Sequence, residues 1–379
     1  MTILVLCEEG NLCNLLAHYA AAFRRRGVRL VCADPKFARN GNLDEWLRLC
    51  PERPSLIWHP ESDVPYLPWG LASVDIPTVC FQVDTYAYTS KRIAWSMLFD
   101  LVLVFHPGYD SKFRDAGHAG ARFVAHAVDG QHFEGPEMER LYDVGWVGQT
   151  DGPIYRMRGP ILNELSKSFR MNDPKRRYTL EEMALTYRQS KIVVNVGRDD
   201  YPEDANLRTF EAMAAGALLV TSLPTELSEM GFEEGVHFVG YRDAREIVPL
   251  VRKYVEDAAA RREIVAGCRQ KILSEHTYRQ RVDMILALID RFENQRGAPA
   301  RNWPEARVRL TYLDYFAGNG ALDCAFAELP KIARGSLVDA AAGAAILALV
   351  WGRRTRARIK ARFTRDREGT GAERKSNGE

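Results

Sequence analysis

The chain has 379 residues, with 52 Lys plus Arg against 50 Asp plus Glu and a formal charge of +2, a length that suits about two domains. Its 46% hydrophobic and 27% charged content is that of a folded globular protein and excludes a mostly disordered or collagen-like chain. Near-neutrality argues against a nucleic-acid binder spread over the whole surface, although residues 353–379 carry ten basic and four acidic side chains and leave the body weakly acidic.

In chain order, short apolar runs alternate with amphipathic stretches. Ile3–Leu6, Val28–Cys32 and Ser55–Trp58 read as strands, with helices around Leu12–Arg26 and Leu43–Leu49 between them. Pro77–Gln82, Leu101–Phe105 and Ala121–Val124 continue the series. Strands alternating with helices imply right-handed βαβ units and a parallel sheet. A Gly/Pro/acidic stretch, Asp129–Glu139, breaks the rhythm, so a first domain is expected over 1–135 and a second over 143–296. The second opens with Val144–Gly148 and runs through helices at Gly159–Phe169 and Leu180–Gln189 and the strand Lys191–Val196. A helix at Asn206–Ala215 and strands at Ala217–Thr221 and His237–Tyr241 follow. Helices over Ala244–Asp257 and Ala259–Arg296 close the domain, residues 298–367 form an extension, and 368–379 read as disordered. The architecture expected is two parallel α/β domains facing a cleft. Seven scattered Cys, never spaced C-x-x-C, suggest neither a zinc knuckle nor a disulfide framework and fit a reducing cytosol. The apolar opening at Thr2–Leu6 reads as a buried strand rather than a signal peptide.

The informative stretch is Tyr201–Thr221, placed after a strand and therefore at the carboxyl edge of an open sheet, where ligands bind. Asp204 or Asn206 can cap the helix that follows, and Gly216 ends it. The positive end of that helix suits a phosphate. Glu203 before the helix and Glu211 in its second turn bracket the site. One carboxylate can reach a transferred group while the other accepts two hydrogen bonds from a vicinal diol such as a ribose. Solvated charges flanking a helix are the bland alternative for that spacing.

Glu203-x7-Glu211 followed by Ala-Met-Ala-Ala-Gly-Ala-Leu-Leu-Val-Thr resembles the donor-site signature of the group 1 glycosyltransferases with the GT-B fold. Asn206-Leu-Arg208-Thr-Phe-Glu211, with His276-Thr-Tyr-Arg-Gln-Arg281 downstream, is similar to the spore-maturation-type branch. The likeness extends more weakly over Asp143–Leu288 and, in outline, over Pro77–Asp84 and His126–Phe133. It implies an α/β protein of two Rossmann-like parallel-sheet domains facing a cleft, to which this chain's own tail adds a helical basic extension at the C-terminus. Its implied activity is that of a nucleotide-sugar-dependent glycosyltransferase of the hexosyltransferase type, metal-independent and retaining. Glu203 would touch the transferred sugar and Glu211 the ribose hydroxyls. Asp84, at the end of a first-domain strand, stands as an acceptor-side carboxylate.

No metal or other cofactor is expected, because charge on a leaving diphosphate can be met by a helix N-terminus plus arginines. Arg198, Arg158, Arg156 and Arg208 are the candidates, with Asn206 as a further donor-side group. Asn206 matters because Asp204-Ala205-Asn206 replaces the Gly-Phe-Gly of the family pattern, and the Gly-Gly turn is missing from Ser222–Glu226. The pair Asp199-Asp200 reads as solvated rather than metal-binding. His59, His106, His126 and His132 follow first-domain strands and include candidates for a base, with a structural role the plainer reading of each. His276 and Arg281 are expected to pack the long final helix or pair with acids.

Two rival functions remain: a sugar-nucleotide-binding module without turnover, and a methyltransferase. The second rests on Tyr312–Leu322, whose Ala-Gly318-Asn-Gly320 resembles a glycine loop for S-adenosylmethionine. No segment reaches the roughly 20 apolar residues of a membrane span. Leu337–Trp351 followed by Arg353, Arg354, Arg356, Arg358, Lys360, Arg362 and Arg365 has two readings: a helix lying on an anionic membrane, or one packed on the body with a solvated basic end. The location expected is cytoplasmic, on the first reading peripheral to the inner face of the membrane. The partners expected are a nucleotide sugar and a glycan, lipid-linked or protein acceptor, with no nucleic acid.

Overall fold

The computed structural model describes residues 1–353 apart from 13–14, 35–37, 63, 134, 224 and 293–296. The arginines from Arg354 onward and the expected tail at 368–379 lie outside the described residues.

The first-half apolar runs form β1 (Thr2–Val5), β2 (Arg29–Cys32), β3 (Leu56–His59), β4 (Thr78–Gln82), β5 (Leu101–Val104) and β6 (Ala121–Phe123). They make one parallel sheet in the order β2-β1-β3-β4-β5-β6. Successive strand residues point to opposite faces, and both faces are covered. Ile3 and Val5 join Tyr19 and Phe23 of the helix Leu15–Arg25 in one core, while Leu4 and Leu6 join Trp46, Trp95 and Phe316 in the other. The second sheet is also parallel: β7 (Tyr142–Gly145), β8 (Ser190–Asn195), β9 (Leu218–Ser222) and β10 (Val239–Tyr241), paired in sequence order. The two-domain α/β architecture read from the sequence is therefore the one observed, with strand ends shifted by one to three residues.

The C-terminal third departs from that reading. The single helix expected over Ala259–Arg296 is two, Ala258–Glu275 and Tyr278–Phe292, broken at His276-Thr277. At this break the chain crosses back to the first lobe, where Tyr278, Val282, Ile285 and Ile289 enter the core beneath β1 and β3. The crossing lies beside the outward one: Val128 N–H donates to the His276 carbonyl (2.9 Å) and Tyr278 N–H to the Val128 carbonyl (3.1 Å). Arg281 ties the joint by donating to the carbonyls of Ala125 and Glu275, with His276 Nδ1 at 2.6 Å, a structural role for both residues.

Residues 298–335 belong to the first lobe as well. The helices Glu305–Gly318 and Leu322–Gly335 close its second core with Tyr312, Leu313, Phe316 and Ile332, all essentially unexposed. At roughly 1.5–3 kcal/mol per buried large apolar side chain, these four contribute on the order of 6–12 kcal/mol, comparable to the net stability of a domain. The Gly318–Gly320 motif is a turn between two helices, with Gly320 in the left-handed region (φ +83°), and Tyr312 lies inside a helix. No strand precedes the turn, so the methyltransferase reading has no structural support. Residues 337–353 are helical too, and Gly343 lets this helix approach Leu310, Leu313 and Leu329.

Candidate active site

The carboxyl ends of β7, β8 and β9 face the first lobe, and the side chains that gather there come from the loops that follow them. Asn195, buried at the end of β8, organises the second-lobe side. Its Oδ1 accepts from Arg208 Nη1 (2.9 Å) and Asn206 Nδ2 (3.3 Å), its Nδ2 donates to Thr221 Oγ1 (3.1 Å), and its carbonyl accepts from the Tyr241 hydroxyl (3.1 Å).

Arg158 and Arg208 meet over Trp146. Arg208 donates through Nε to the Val147 carbonyl (3.0 Å), with its guanidinium 4.1 Å from the indole centroid. Arg158 donates to the carbonyls of Val196 (3.0 Å) and Gln149 (3.1 Å) and lies 3.7 Å over Tyr155 and 5.5 Å from Trp146. Arg158 is only 5% exposed, and burial, with the adjacent Arg208 charge, lowers its pKa to about 10. Among the described residues neither guanidinium has a carboxylate partner. Gly148 is required here, because any side chain at its φ of +145° would collide with Arg208.

The helix Leu207–Ala214 begins beside this pair. Asn206 is its N-cap residue but makes no side-chain cap bond, contrary to one of the two capping options, and Asp204 does not replace it. No side chain caps the first turn, whose Thr209 N–H turns to the Asn206 carbonyl (3.0 Å), and among the described residues Asn206 Oδ1 is buried without a partner. Glu211, half-buried in the second turn, has its pKa pushed up to about 7 by burial, against the opposing charges of Arg208 and of His18 from the first lobe.

The other sequence candidates are placed differently. Arg198 is held by both oxygens of Asp200 (2.9 and 3.0 Å) and lies 5.0 Å over the Tyr86 ring. Asp199 accepts from the Arg156 amide and Nε (2.9 and 3.1 Å), so each acid of the Asp199-Asp200 pair is matched to an arginine. Glu203 is exposed. Asp84 is exposed after β4 and accepts a long bond from the Tyr86 hydroxyl (3.4 Å). His59 is packed against the Tyr315 hydroxyl (3.0 Å), and burial lowers its pKa to about 4; His126 is lowered to about 3 by burial.

A second cluster went unnoticed in the sequence. Glu226, after β9, accepts from the Ala205 N–H (2.8 Å) and the Tyr201 hydroxyl (2.8 Å), and lies 2.7 Å from Nδ1 of His106, which follows β5 in the first lobe. Tyr201 stacks on first-lobe Tyr86 at 4.2 Å. Asp204 is buried against the same group. Burial, with the charges of Glu226 and Asp84, pushes its pKa up to about 7 despite His106 and Arg198. His106, Asp204 and Glu226 are one of two groups among the described residues with the composition and spacing to hold a metal ion; His18, Asp129 and His132 are the other. The only sequence signal for Glu226 is its place just past a parallel strand.

Residues 162–287 match the family described as glycosyl transferase-like. Three solved structures share the fold of both lobes. HepE of Anabaena in complex with UDP is 13% identical over 77% of this chain and 100% of its own, with a TM-score of 0.55. The same protein with UDP and glucose is 12% identical over 76% and 99%, at 0.54. Sucrose-phosphate synthase of Thermosynechococcus elongatus is 14% identical over 78% and 100%, at 0.52. No curated protein sequence matches the chain.

Proposed function

We propose that this chain, whose residues 162–287 belong to a glycosyl transferase-like family and whose two lobes form the GT-B fold, is a glycosyltransferase that takes its sugar from a nucleotide donor. The observation that carries the proposal is the pair of guanidiniums, Arg158 and Arg208, held over Trp146 by main-chain carbonyls and Asn195, neither of them ion-paired to a carboxylate among the described residues, beside an uncapped helix start. Two such cations and free N–H groups suit a diphosphate. As the bond between the sugar C1 and the diphosphate oxygen breaks and an acceptor hydroxyl oxygen bonds to C1, giving its proton to the departing diphosphate, the charge gathering on that leaving oxygen meets donors already in position, so departure needs no metal. Glu211, one to two turns along, accepts the ribose hydroxyls. Glu203 and Asp84, exposed on either side of the cleft, act at the sugar end, Glu203 on the transferred sugar and Asp84 towards the acceptor. Retention of configuration is part of the proposal. The UDP held by HepE in its crystals supports a uridine nucleotide as the first donor to try.

Purified protein incubated with UDP-, GDP-, ADP- and dTDP-sugars should release a nucleoside diphosphate from one of them, and the anomeric coupling of the product reports its configuration. A rise in melting temperature with nucleoside diphosphate, but no turnover with any donor or acceptor, would replace this reading with the binding-module one.

The proposal includes an acceptor at an anionic membrane surface. The helix at 337–353 packs through Ala340, Gly343, Leu347 and Val350, while Leu337, Val338, Leu349 and Trp351 stay 59–80% exposed and the exposed positions between them are alanines. An apolar outer face leading into a cationic run suits an interfacial helix. No helix among the described residues is long and apolar enough to cross a membrane. Flotation with phosphatidylglycerol liposomes at low salt should recover the intact protein and not a Leu349→Glu/Trp351→Glu variant; failure of the intact protein to float removes this part.

A further inference from the structure

We propose that His106, Asp204 and Glu226 form a binding site for one divalent transition-metal cation at the joint between the two lobes. One imidazole nitrogen and two carboxylate oxygens lie within 4.8 Å of one another, a few tenths of an ångström above the roughly 4.2–4.6 Å that is the greatest separation of two ligands about 2.1–2.3 Å from a shared ion. All three residues are buried, at 1%, 7% and 3% exposure. Glu226 is oriented by two groups outside the cluster, the Ala205 main-chain N–H and the Tyr201 hydroxyl. This is the kind of outer support that holds a ligand in place.

Asp204 is the second observation. It is more than nine-tenths buried and aimed at the other two, yet among the described residues no N–H or O–H donates to its carboxylate. Arg198, whose charge reaches it, is already held by both oxygens of Asp200. A carboxylate taken out of water without a hydrogen bond is costly, and a coordinated cation replaces the missing contact and adds positive charge. An imidazole with two carboxylates suits Mn²⁺ or Zn²⁺ better than the all-oxygen sites that Ca²⁺ and Mg²⁺ prefer.

The other group of similar composition shows the contrast. Asp129 there already pairs with Arg25 (3.2 Å) and accepts from the Gln131 N–H (3.2 Å), so its charge is matched without an ion. At the joint, one ligand comes from the first lobe and two from the second. An ion that binds all three favours the closed arrangement by the amount of its affinity for it, and opening releases it. It would serve the joint, while the diphosphate is left to Arg158 and Arg208. The site does not depend on the glycosyl-transfer reading, since ion binding is measured without donor.

The full chain, stripped with a chelator and dialysed, is titrated with Mn²⁺ while free ion is followed by electron paramagnetic resonance and unfolding by heat. Mn²⁺ is the probe because thiolates of the seven cysteines bind it poorly. One Mn²⁺ per chain and a raised melting temperature are expected. Binding should weaken at least tenfold in Asp204→Asn and in His106→Gln, which come from different lobes, and stay unchanged in Asp129→Asn. No bound Mn²⁺ at millimolar free ion, undiminished binding by either joint variant while its circular dichroism is native, or loss in Asp129→Asn would overturn the proposal. If both joint variants fail to fold, the stoichiometry of the wild type and of Asp129→Asn decides.

Discussion

Arg158 and Arg208 lie on the face of Trp146 with main-chain carbonyls and Asn195 for partners, whereas Asp204 and Glu226 lie against His106 with a hydroxyl and one main-chain N–H between them, both given to Glu226. The two clusters flank the same stretch, β8 and the loop to the helix Leu207–Ala214, and carry opposite surpluses. A buried guanidinium without an acid and a buried carboxylate without a donor are both costly in an empty protein. They persist where something of the opposite charge arrives, so an anion is expected at Trp146 and a cation, or a proton, at the joint. The difference also divides the work: the anion end is built wholly from the second lobe, and the other end exists only while the lobes meet.

The sharpest way to break the comparison is Arg158→Met. If the pair over Trp146 holds the diphosphate, losing its more buried member should weaken nucleoside diphosphate binding by about 2–5 kcal/mol, at least about thirtyfold, in a calorimetric titration. An affinity within twofold of wild type would return Arg158 to a structural role. Glu211→Ala comes next, with a loss of about 1–3 kcal/mol for two charge-assisted hydrogen bonds and an unchanged circular dichroism spectrum.

Glu211 also carries a pH signature. Its folded pKa is raised to about 7 from an ordinary carboxylate value, so its contribution to stability is present below pH 4.5 and is lost as pH rises through 7. The empty wild type should therefore fall in melting temperature between pH 5 and 8 relative to Glu211→Gln. Nucleotide affinity should do the reverse, rising as the carboxylate ionises, with a flatter profile in Glu211→Gln. A parallel profile in the two proteins would detach Glu211 from the ribose.

Smaller effects test the joint and the sugar end. Tyr86→Ala removes the stack on Tyr201 and should cost about 1 kcal/mol in denaturant unfolding, without moving nucleotide affinity. Glu203→Gln should leave that affinity within about 0.5 kcal/mol, as expected for an exposed side chain, while slowing transfer in a product assay. Weakened nucleotide binding with transfer intact would reassign Glu203 away from the sugar.

Legibility in the sequence followed the locality of the interactions. The strands of the first sheet could be read because both its faces are covered and their runs are almost wholly apolar. The helix Leu207–Ala214 could be read because its pattern lies within 21 consecutive residues, Tyr201 to Thr221. Glu226 could not, since its meaning depends on His106, 120 positions away. Arg198 was readable as a cation but not as one already taken, because its bidentate bond to Asp200 is a matter of rotamer. The helices at 305–335 were hard to read because Tyr312, Leu313, Tyr315, Phe316 and Ala317 bury more than half of the circumference of the first one, which blurs the 3.6-residue period. The break at His276-Thr277 did leave a mark. Thr277-x-x-Gln280 is a capping box, with Thr277 N–H donating to Gln280 Oε1 (2.7 Å) and Gln280 N–H to Thr277 Oγ1 (3.4 Å).

The paired crossings at Val128 and Thr277 give the molecule a grammar of parentheses. The polypeptide opens a clause at one and closes it at the other, and the main clause resumes at Tyr278 as though uninterrupted. Because the opening and closing points are hydrogen-bonded neighbours, the enclosed 129–277 segment could be lifted out and a short bridge written in its place, leaving the surrounding sheet its full complement of helices. The same adjacency makes this a natural graft point, where a foreign nucleotide-binding segment with closely spaced ends could be inserted without asking the host lobe to change register.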